Sequence, residues 1–378
     1  MNLLKPIELL AKKMTLALLN IFRRAGRPES ISINKGLTYK ILFIRPQRIG
    51  DIFITFPVFD ALLRQFPRAK ISLFGSPACR PIIEDDPRFY KIYYYRKSIR
   101  SDFKELRKIR KEKYDCVVDL VGTDSVTSLL LTVFGVPGKP RIAVGKNRFC
   151  KYYDYNFDLR NGNTGHVIIN SLKLLEAFGI SFDKSDGFAP PYIDDNADRN
   201  AVEIFEKLSI DKNESFVVGY NLSAGSPERI PAVDVTADLL KRILNFRDNF
   251  RIILFALDPE REKAARLQEQ FPEKVDIIPD GLSLPEASAV IKRLDFFITP
   301  DTSLVHIARS FEIPVVAFYR RYMDNHKIWY PFGQPCGAVV SGNEGNIADL
   351  TAASIFDEFV KVFDYFKQEG KCPISRLS

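Results

Sequence analysis

The sequence predicts an α/β protein built from two doubly wound halves in tandem, each an open parallel sheet between helices, with a cleft between the halves. Three observations carry this reading. Short apolar runs alternate with helix-length amphipathic stretches along most of the chain, the pattern of parallel strands joined by helical crossovers. The alternation is interrupted once near the middle, by a stretch rich in Pro and Asp. The length of 378 residues, at roughly 150 per domain, implies about two domains with ample core.

At the start, Leu3, Ile7, Leu10, Met14, Ala17, Leu18 and Ile21 recur at three- and four-residue steps. Residues 3–22 therefore predict a helix with one apolar stripe, flanked by Lys5, Lys12, Lys13, Arg23, Arg24 and Arg27. Such a basic leader (1–30) suits the headgroup layer of an anionic membrane, a fit that Leu9 and Leu16 on its polar side weaken, and equally suits docking on its own domain or a partner subunit. Tyr39–Arg45 reads as a buried strand because Ile41–Ile44 is apolar on both faces. A helix is expected over 51–66, strands over 70–75 and 90–95, a charged helix over 102–111 and a strand over 114–120. A helix over 123–134, a strand over 141–144 and a helix over 167–178 complete the first half. Residues 185–200 read as the linker. The second half repeats the pattern, with strands over 215–221, 250–256, 274–278, 296–299 and 314–319. Its helices are expected over 234–246, 259–270, 284–292 and 303–311. The expected domains are 38–188 and 189–350, with a helix and tail over 351–378.

Composition narrows the function classes. At 46% hydrophobic residues the chain is not a disordered one. Five scattered cysteines without a C-x-x-C pair argue against a disulfide framework or a zinc site. No run approaches the roughly 18 apolar residues of a transmembrane helix, and no cleavage pattern marks a signal peptide, so a cytosolic or peripherally attached protein is expected. The first 115 residues carry 25 basic and 11 acidic side chains, the remaining 263 carry 30 and 36. Basicity thus belongs to one part of the chain, where apolar core segments interrupt it, and no nucleic-acid reading motif accompanies it.

Ligands of doubly wound folds bind at the carboxyl ends of strands, and two loops there carry chemistry. The first is Arg45-Pro-Gln-Arg-Ile-Gly-Asp51, where Gly50 permits a tight turn. Asp51 stands where a helix begins, either as its cap or as a carboxylate presented to the cleft. No G-x-G-x-x-G is present, so no dinucleotide cofactor is expected. The second is Thr299-Pro-Asp-Thr-Ser-Leu-Val-His306, where Asp301, Thr302 and Ser303 gather polar groups at a helix N-terminus suited to phosphate oxygens. The alternative is that Asp301 caps the helix and His306 packs on the sheet. Glu260, just after a strand, reads as a ribose ligand or as a solvated helix residue. His166, at a helix start, reads mainly as a hydrogen-bonded structural residue.

These motifs resemble those of a known family. Ile41–Pro57, with its Arg-Ile-Gly-Asp core, Asn221-Leu-Ser-Ala-Gly-Ser226, Pro300–Ala308 and Trp329-Tyr-Pro-Phe-Gly333 are similar, in order and spacing over about residues 39–350, to the signatures of the ADP-heptose:lipopolysaccharide heptosyltransferases, glycosyltransferase family 9. The resemblance implies a GT-B architecture with the acceptor bound by the first half and the nucleotide-sugar by the second. It also implies inverting transfer of heptose from ADP-L-glycero-β-D-manno-heptose to an inner-core sugar, without metal or other cofactor. Asp51 matches the catalytic base. Ser223, Arg229, Glu260, Asp301, Thr302, Ser303, Leu304 and His306 fall on the donor side, and Arg48, Gly50 and His326 on the acceptor side. The implied partners are the donor, a lipid-linked core oligosaccharide and an anionic membrane surface, the inner face of the bacterial inner membrane, and not nucleic acid. Two departures stand out. Glu228 occupies the position of a common lysine, with Arg229 beside it, and Ser303 replaces a common glycine. They leave room for another nucleotide-sugar, or for a binding subunit without turnover.

Overall fold

The computed structural model describes residues 17, 19, 38–46, 49–160, 164–322 and 326–370. The chain divides into two compact units, Met1–Asp186 and Gly187–Ser378. In the first, β1 (Lys40–Arg45), α1 (Ile49–Phe53), α2 (Phe56–Gln65), β2 (Lys70–Gly75), α3 (Arg80–Ile83), β3 (Phe89–Tyr94) and α4 (Ile99–Glu112) follow in order. Then come β4 (Cys116–Asp119), α5 (Val126–Gly135), β5 (Arg141–Val144), β6 (Tyr155–Phe157) and α6 (Val167–Leu172). The sheet order is β3-β2-β1-β4-β5-β6, and every pair is parallel.

The second unit contains α7 (Asp195–Lys207), β7 (Phe216–Asn221), α8 (Val233–Leu244), β8 (Phe250–Phe255), α9 (Arg261–Gln270), β9 (Val275–Ile277) and α10 (Leu284–Ile291). It continues with β10 (Phe296–Pro300), α11 (Ser303–Ser310), β11 (Val315–Tyr319), α12 (His326–Trp329), β12 (Ala338–Val340) and α13 (Ala352–Gln368). Its order, β12-β11-β10-β7-β8-β9, repeats the first winding, again all parallel. In each sheet the winding reverses beside the first strand, so β1/β4 and β7/β10 are the switch points where a ligand crevice opens in such folds.

The central strands are buried on both faces, as parallel sheets covered by helices require. In the second unit, Phe216 and Phe250 stack with ring centroids 4.6 Å apart, and Phe359 and Phe363 of α13 close over them. In the first, Leu42, Ile44 and Phe74 pack with Val117 and Tyr114.

Several boundaries differ from expectation, each for a local reason. The helix expected over 51–66 is two helices, because Pro57 has no N–H to donate to residue 53 and instead occupies the first turn of α2. The helix expected over 167–178 tightens to a 3₁₀ turn after Leu172 and ends at Gly179, whose φ of +67° only glycine adopts without strain. The stretch 185–200 is not all linker: Asp194 accepts from the N–H groups of Asn196 and Ala197 and starts α7 within it. The edge strands β6 and β12 were not expected; each is only three residues long.

Two leader residues are described. Leu19 is buried with Leu129, Val133, Phe149 and Tyr152, whereas Ala17 is exposed. At this point the face turned to the domain is that of Leu19, roughly 200° round the helix from Ala17, because a leucine buries far more apolar area than an alanine. The remaining stripe residues, Leu3, Ile7, Leu10, Met14, Leu18 and Ile21, lie outside the described residues.

Candidate active site

In the first unit the carboxyl ends of β1, β4 and β5 hold four charged side chains in alternating sign. Arg45, the last residue of β1, is buried. It donates from Nε to the Asp51 carbonyl at 3.2 Å, from Nη2 to Asp51 Oδ1 at 3.2 Å, and from Nη1 to the Leu120 carbonyl at the end of β4. Burial pushes the Arg45 guanidinium below its ordinary value, and the charges of Asp51 and Asp119 oppose this. Asp119 and Lys146 are fully buried and paired at 2.9 Å. Asp119 also accepts from Tyr153 Oη at 2.5 Å, while Lys146 Nζ donates to the carbonyls of Val121 at 2.6 Å and Thr123 at 3.0 Å. The loop after β5 comes this close because Gly145 (φ +69°) has no side chain; a Cβ there would lie 2.3 Å from the Gly122 carbonyl oxygen.

Asp51 is the third residue of α1, inside its first turn, with its side chain 19% exposed. It therefore does not cap that helix. Gly50 lies beside it in α1, and Arg48 falls outside the described residues. His166 is the N-cap of α6, its Nδ1 accepting from the Ile168 N–H at 3.1 Å, which accounts for it structurally.

In the second unit the residues of the donor-side reading converge on the carboxyl ends of β7, β8, β10 and β11. Asn221, the buried last residue of β7, donates to Thr299 Oγ1 at 3.0 Å and to the Ser223 carbonyl at 2.9 Å, locking the loop after β7 against β10. Ser223 Oγ donates to Glu260 Oε2 at 3.0 Å and accepts from the Leu257 N–H at 2.8 Å, which joins the loops after β7 and β8. Arg229 Nη1 lies 3.2 Å from the Asp301 carbonyl and 3.5 Å from Asp301 Oδ2. Burial pushes the Asp301 carboxyl up, with Arg229 and Arg320 pulling it down. Glu228 is held below the usual carboxylate range first by its bond to Ser226, then by Arg320 and Arg229.

The cap of α11 is Thr302 rather than Asp301: its Oγ1 accepts from the Leu304 N–H at 3.3 Å and lies 3.2 Å from Thr299 Oγ1. Asp301 is thereby left to pair with Arg229. Ser303 opens α11, and His306 one turn on is 7% exposed with its ring 5.5 Å from that of Trp329. The Trp329 carbonyl accepts from Tyr319 Oη at 2.9 Å, and Arg309 Nε donates to the Phe332 carbonyl at 2.6 Å, so the turn 329–333 is fastened to β11 and α11. His326 opens α12, one turn before Trp329, with Nδ1 buried. Among the described residues no three His, Cys, Asp or Glu side chains form a metal-holding group. A recess of about 600 Å³ lined by Lys212, Arg293 and Asp295 lies at the opposite, amino ends of β7 and β10, away from this chemistry.

Sequence reasoning gave no role to Arg45, Asp119, Lys146, Asn221, Thr299 and Arg320, although Arg45, Asn221 and Thr299 stand in the motifs quoted above. A signal was present for five of them: Arg45, Asp119, Asn221, Thr299 and Arg320 are polar or charged residues at the carboxyl ends of apolar strands.

The sequence profile of glycosyltransferase family 9 (heptosyltransferase) matches residues 103–359, more than half of the chain. The chain belongs to this family. Lipooligosaccharide heptosyltransferase 2 of Haemophilus ducreyi is 24% identical over 298 residues, covering 74% of this chain and 83% of that protein. The crystal structure of a family 9 glycosyltransferase from Veillonella parvula matches with a TM-score of 0.73 and 18% identity, over 89% of this chain and 99% of that one. An Escherichia coli heptosyltransferase solved with ADP-2-deoxy-2-fluoro heptose matches with a TM-score of 0.64 and 16% identity, over 85% and 99%. This family 9 member is thus a glycosyltransferase, and its two parallel six-stranded sheets have the GT-B-like fold of these structures.

Proposed function

We propose that this enzyme transfers heptose from ADP-L-glycero-β-D-manno-heptose to an inner-core sugar of lipopolysaccharide or lipooligosaccharide, with inversion and without a metal ion or other cofactor. The observation that carries the reading is the polar convergence in the second unit, Ser223–Glu260 on one side and Arg229–Asp301 at the head of α11 on the other. Glu260 suits a ribose hydroxyl. Arg229, Arg320 and the amino end of α11, with Thr302, Ser303 and Leu304, suit a diphosphate whose negative charge grows as the sugar departs. His306 and Trp329 flank the same loop. In the first unit Asp51 accepts the proton of the acceptor hydroxyl as its oxygen attacks the anomeric carbon. The hydroxyl becomes acidic only as that bond forms, so a carboxylate suffices as base. Arg48, Gly50 and His326 complete the acceptor-side assignment.

The acceptor is lipid-linked, and a peripheral position on the cytoplasmic face of the inner membrane belongs to the same proposal. Two surface features of the first unit support it. Phe103 of α4 is 53% exposed under the Arg107 guanidinium, and Tyr90 is 40% exposed with Lys40, Lys70 and Lys91 around its ring. Aromatic rings among cations suit an anionic headgroup layer. No described helix is long and apolar enough to cross a membrane.

Calorimetric titration with ADP, GDP and UDP and their sugars checks the donor. ADP and ADP-heptose are expected to bind, and a preference for GDP or UDP overturns the donor assignment. Glu228, at the position where the family resemblance implies a common lysine, motivates a second reading as a nucleotide-sugar-binding subunit. ADP-heptose binding without turnover on any truncated core acceptor favours that reading.

A further inference from the structure

We propose that Arg45 is a positioning residue for Asp51, fixing the carboxylate at the place and angle from which it takes the acceptor proton; this rests on the reading of Asp51 as the base. The helix carrying Asp51 is only five residues long, far below the length at which a helix holds itself in water. Its geometry has to come from elsewhere, and the guanidinium supplies it. One planar group holds the backbone carbonyl of Asp51 through Nε, the carboxylate through Nη2, and the end of the neighbouring strand through Nη1 at Leu120. Both the main chain and the side chain of Asp51 are thereby referenced to β4, the strand on the other side of the switch point.

The guanidinium is itself fixed. It is 6% exposed, rooted at the last position of β1, and lies in the field of Asp119, which is fully buried and neutralised by Lys146 at 2.9 Å. The series Asp51, Arg45, Asp119, Lys146 alternates in sign and sums to zero, which offsets the cost of burying Arg45. Arginine suits the position because its fork makes several directed bonds from one rigid plane, whereas an ammonium on a flexible stem acts as a point charge.

Placement matters because a base has to stand within about 2.6–3.2 Å of the proton it removes, and a shift of about 1 Å costs on the order of 10²-fold. With the full-length enzyme, Arg45→Gln is expected to lower kcat by about 10–10²-fold, leaving acceptor KM and ADP affinity within a factor of about two. Arg45→Lys is expected to recover part of that loss, since an ammonium reaches one Asp51 oxygen. The double variant Arg45→Gln/Asp51→Asn is expected to be no slower than Asp51→Asn alone, because a residue acting through Asp51 has nothing left to act on. Wild-type kcat in both Arg45 variants overturns the inference, as does a loss carried by KM or ADP affinity, or one that adds in full to that of Asp51→Asn. If Arg45→Gln does not fold, Arg45→Lys decides: reduced kcat at unchanged KM supports the inference and wild-type kcat overturns it. Full activity in Asp51→Asn overturns the base assignment itself. An inactive Asp51→Asn beside an unimpaired Arg45→Gln overturns only the positioning role.

Discussion

Asp51→Asn is expected to lower kcat for heptose transfer by about 10²–10⁴-fold, the usual worth of general base catalysis, with ADP affinity unchanged. The substitution keeps the shape of the side chain and an oxygen facing Arg45, so the bond now made at 3.2 Å can persist and the fold is not disturbed. What it removes is the ability to hold a proton. The proposal places donor binding in the other unit, around Arg229 and Asp301, so ADP affinity is expected not to depend on Asp51. Steady-state ADP release together with ADP calorimetry on the same preparation reads both quantities. Retained turnover excludes Asp51 as the base, and lost ADP binding shows that the substitution damaged more than proton transfer.

Lys146→Met is expected to have the largest effect on stability, a loss of about 3–5 kcal/mol in the unfolding free energy of the first unit, the usual cost of breaking one side of a buried pair. Met fills a similar volume but leaves the fully buried Asp119 carboxylate without its counter-charge and the Val121 and Thr123 carbonyls without their donor. Tyr153 remains to donate to Asp119, and burial together with that carboxylate holds the phenol well above its ordinary pKa, so its proton stays in place. Pairing the change with Asp119→Asn removes both charges. The double variant is therefore expected to lose less than the sum of the two single losses. Urea denaturation followed by first-unit tryptic protection measures this, and a loss below about 1 kcal/mol, the worth of an exposed pair, contradicts the buried-network account.

The strands that build the two sheets were legible because a parallel strand covered on both faces is an uninterrupted apolar run, as Ile41–Ile44 and Ile252–Phe255 show. The edges β6 (Tyr-Asn-Phe) and β12 (Ala-Val-Val) are three residues each, too short for either an apolar run or an alternation to stand out. Pro57 was visible, and its interruption of the expected helix follows from its missing N–H. At the candidate site the loops were legible as strand-end motifs, but the pairings within them were not. Ser223 and Glu260 are 37 residues apart, and Arg229 and Asp301 are 72 apart; only the winding of the second sheet brings each pair together. Asp119 and Lys146 read as ordinary charges until Gly145 allows the loop after β5 to turn inward over Gly122.

The proposed reaction is transfer of heptose from ADP-heptose to a lipopolysaccharide core. Incubating the purified full chain with ADP-heptose and heptose-deficient core acceptors, with ADP release followed alongside the mass of the acceptor, tests it most directly. The account predicts ADP release matched one for one by addition of a single heptose. No ADP release and no heptosylated product across a series of truncated acceptors would contradict it.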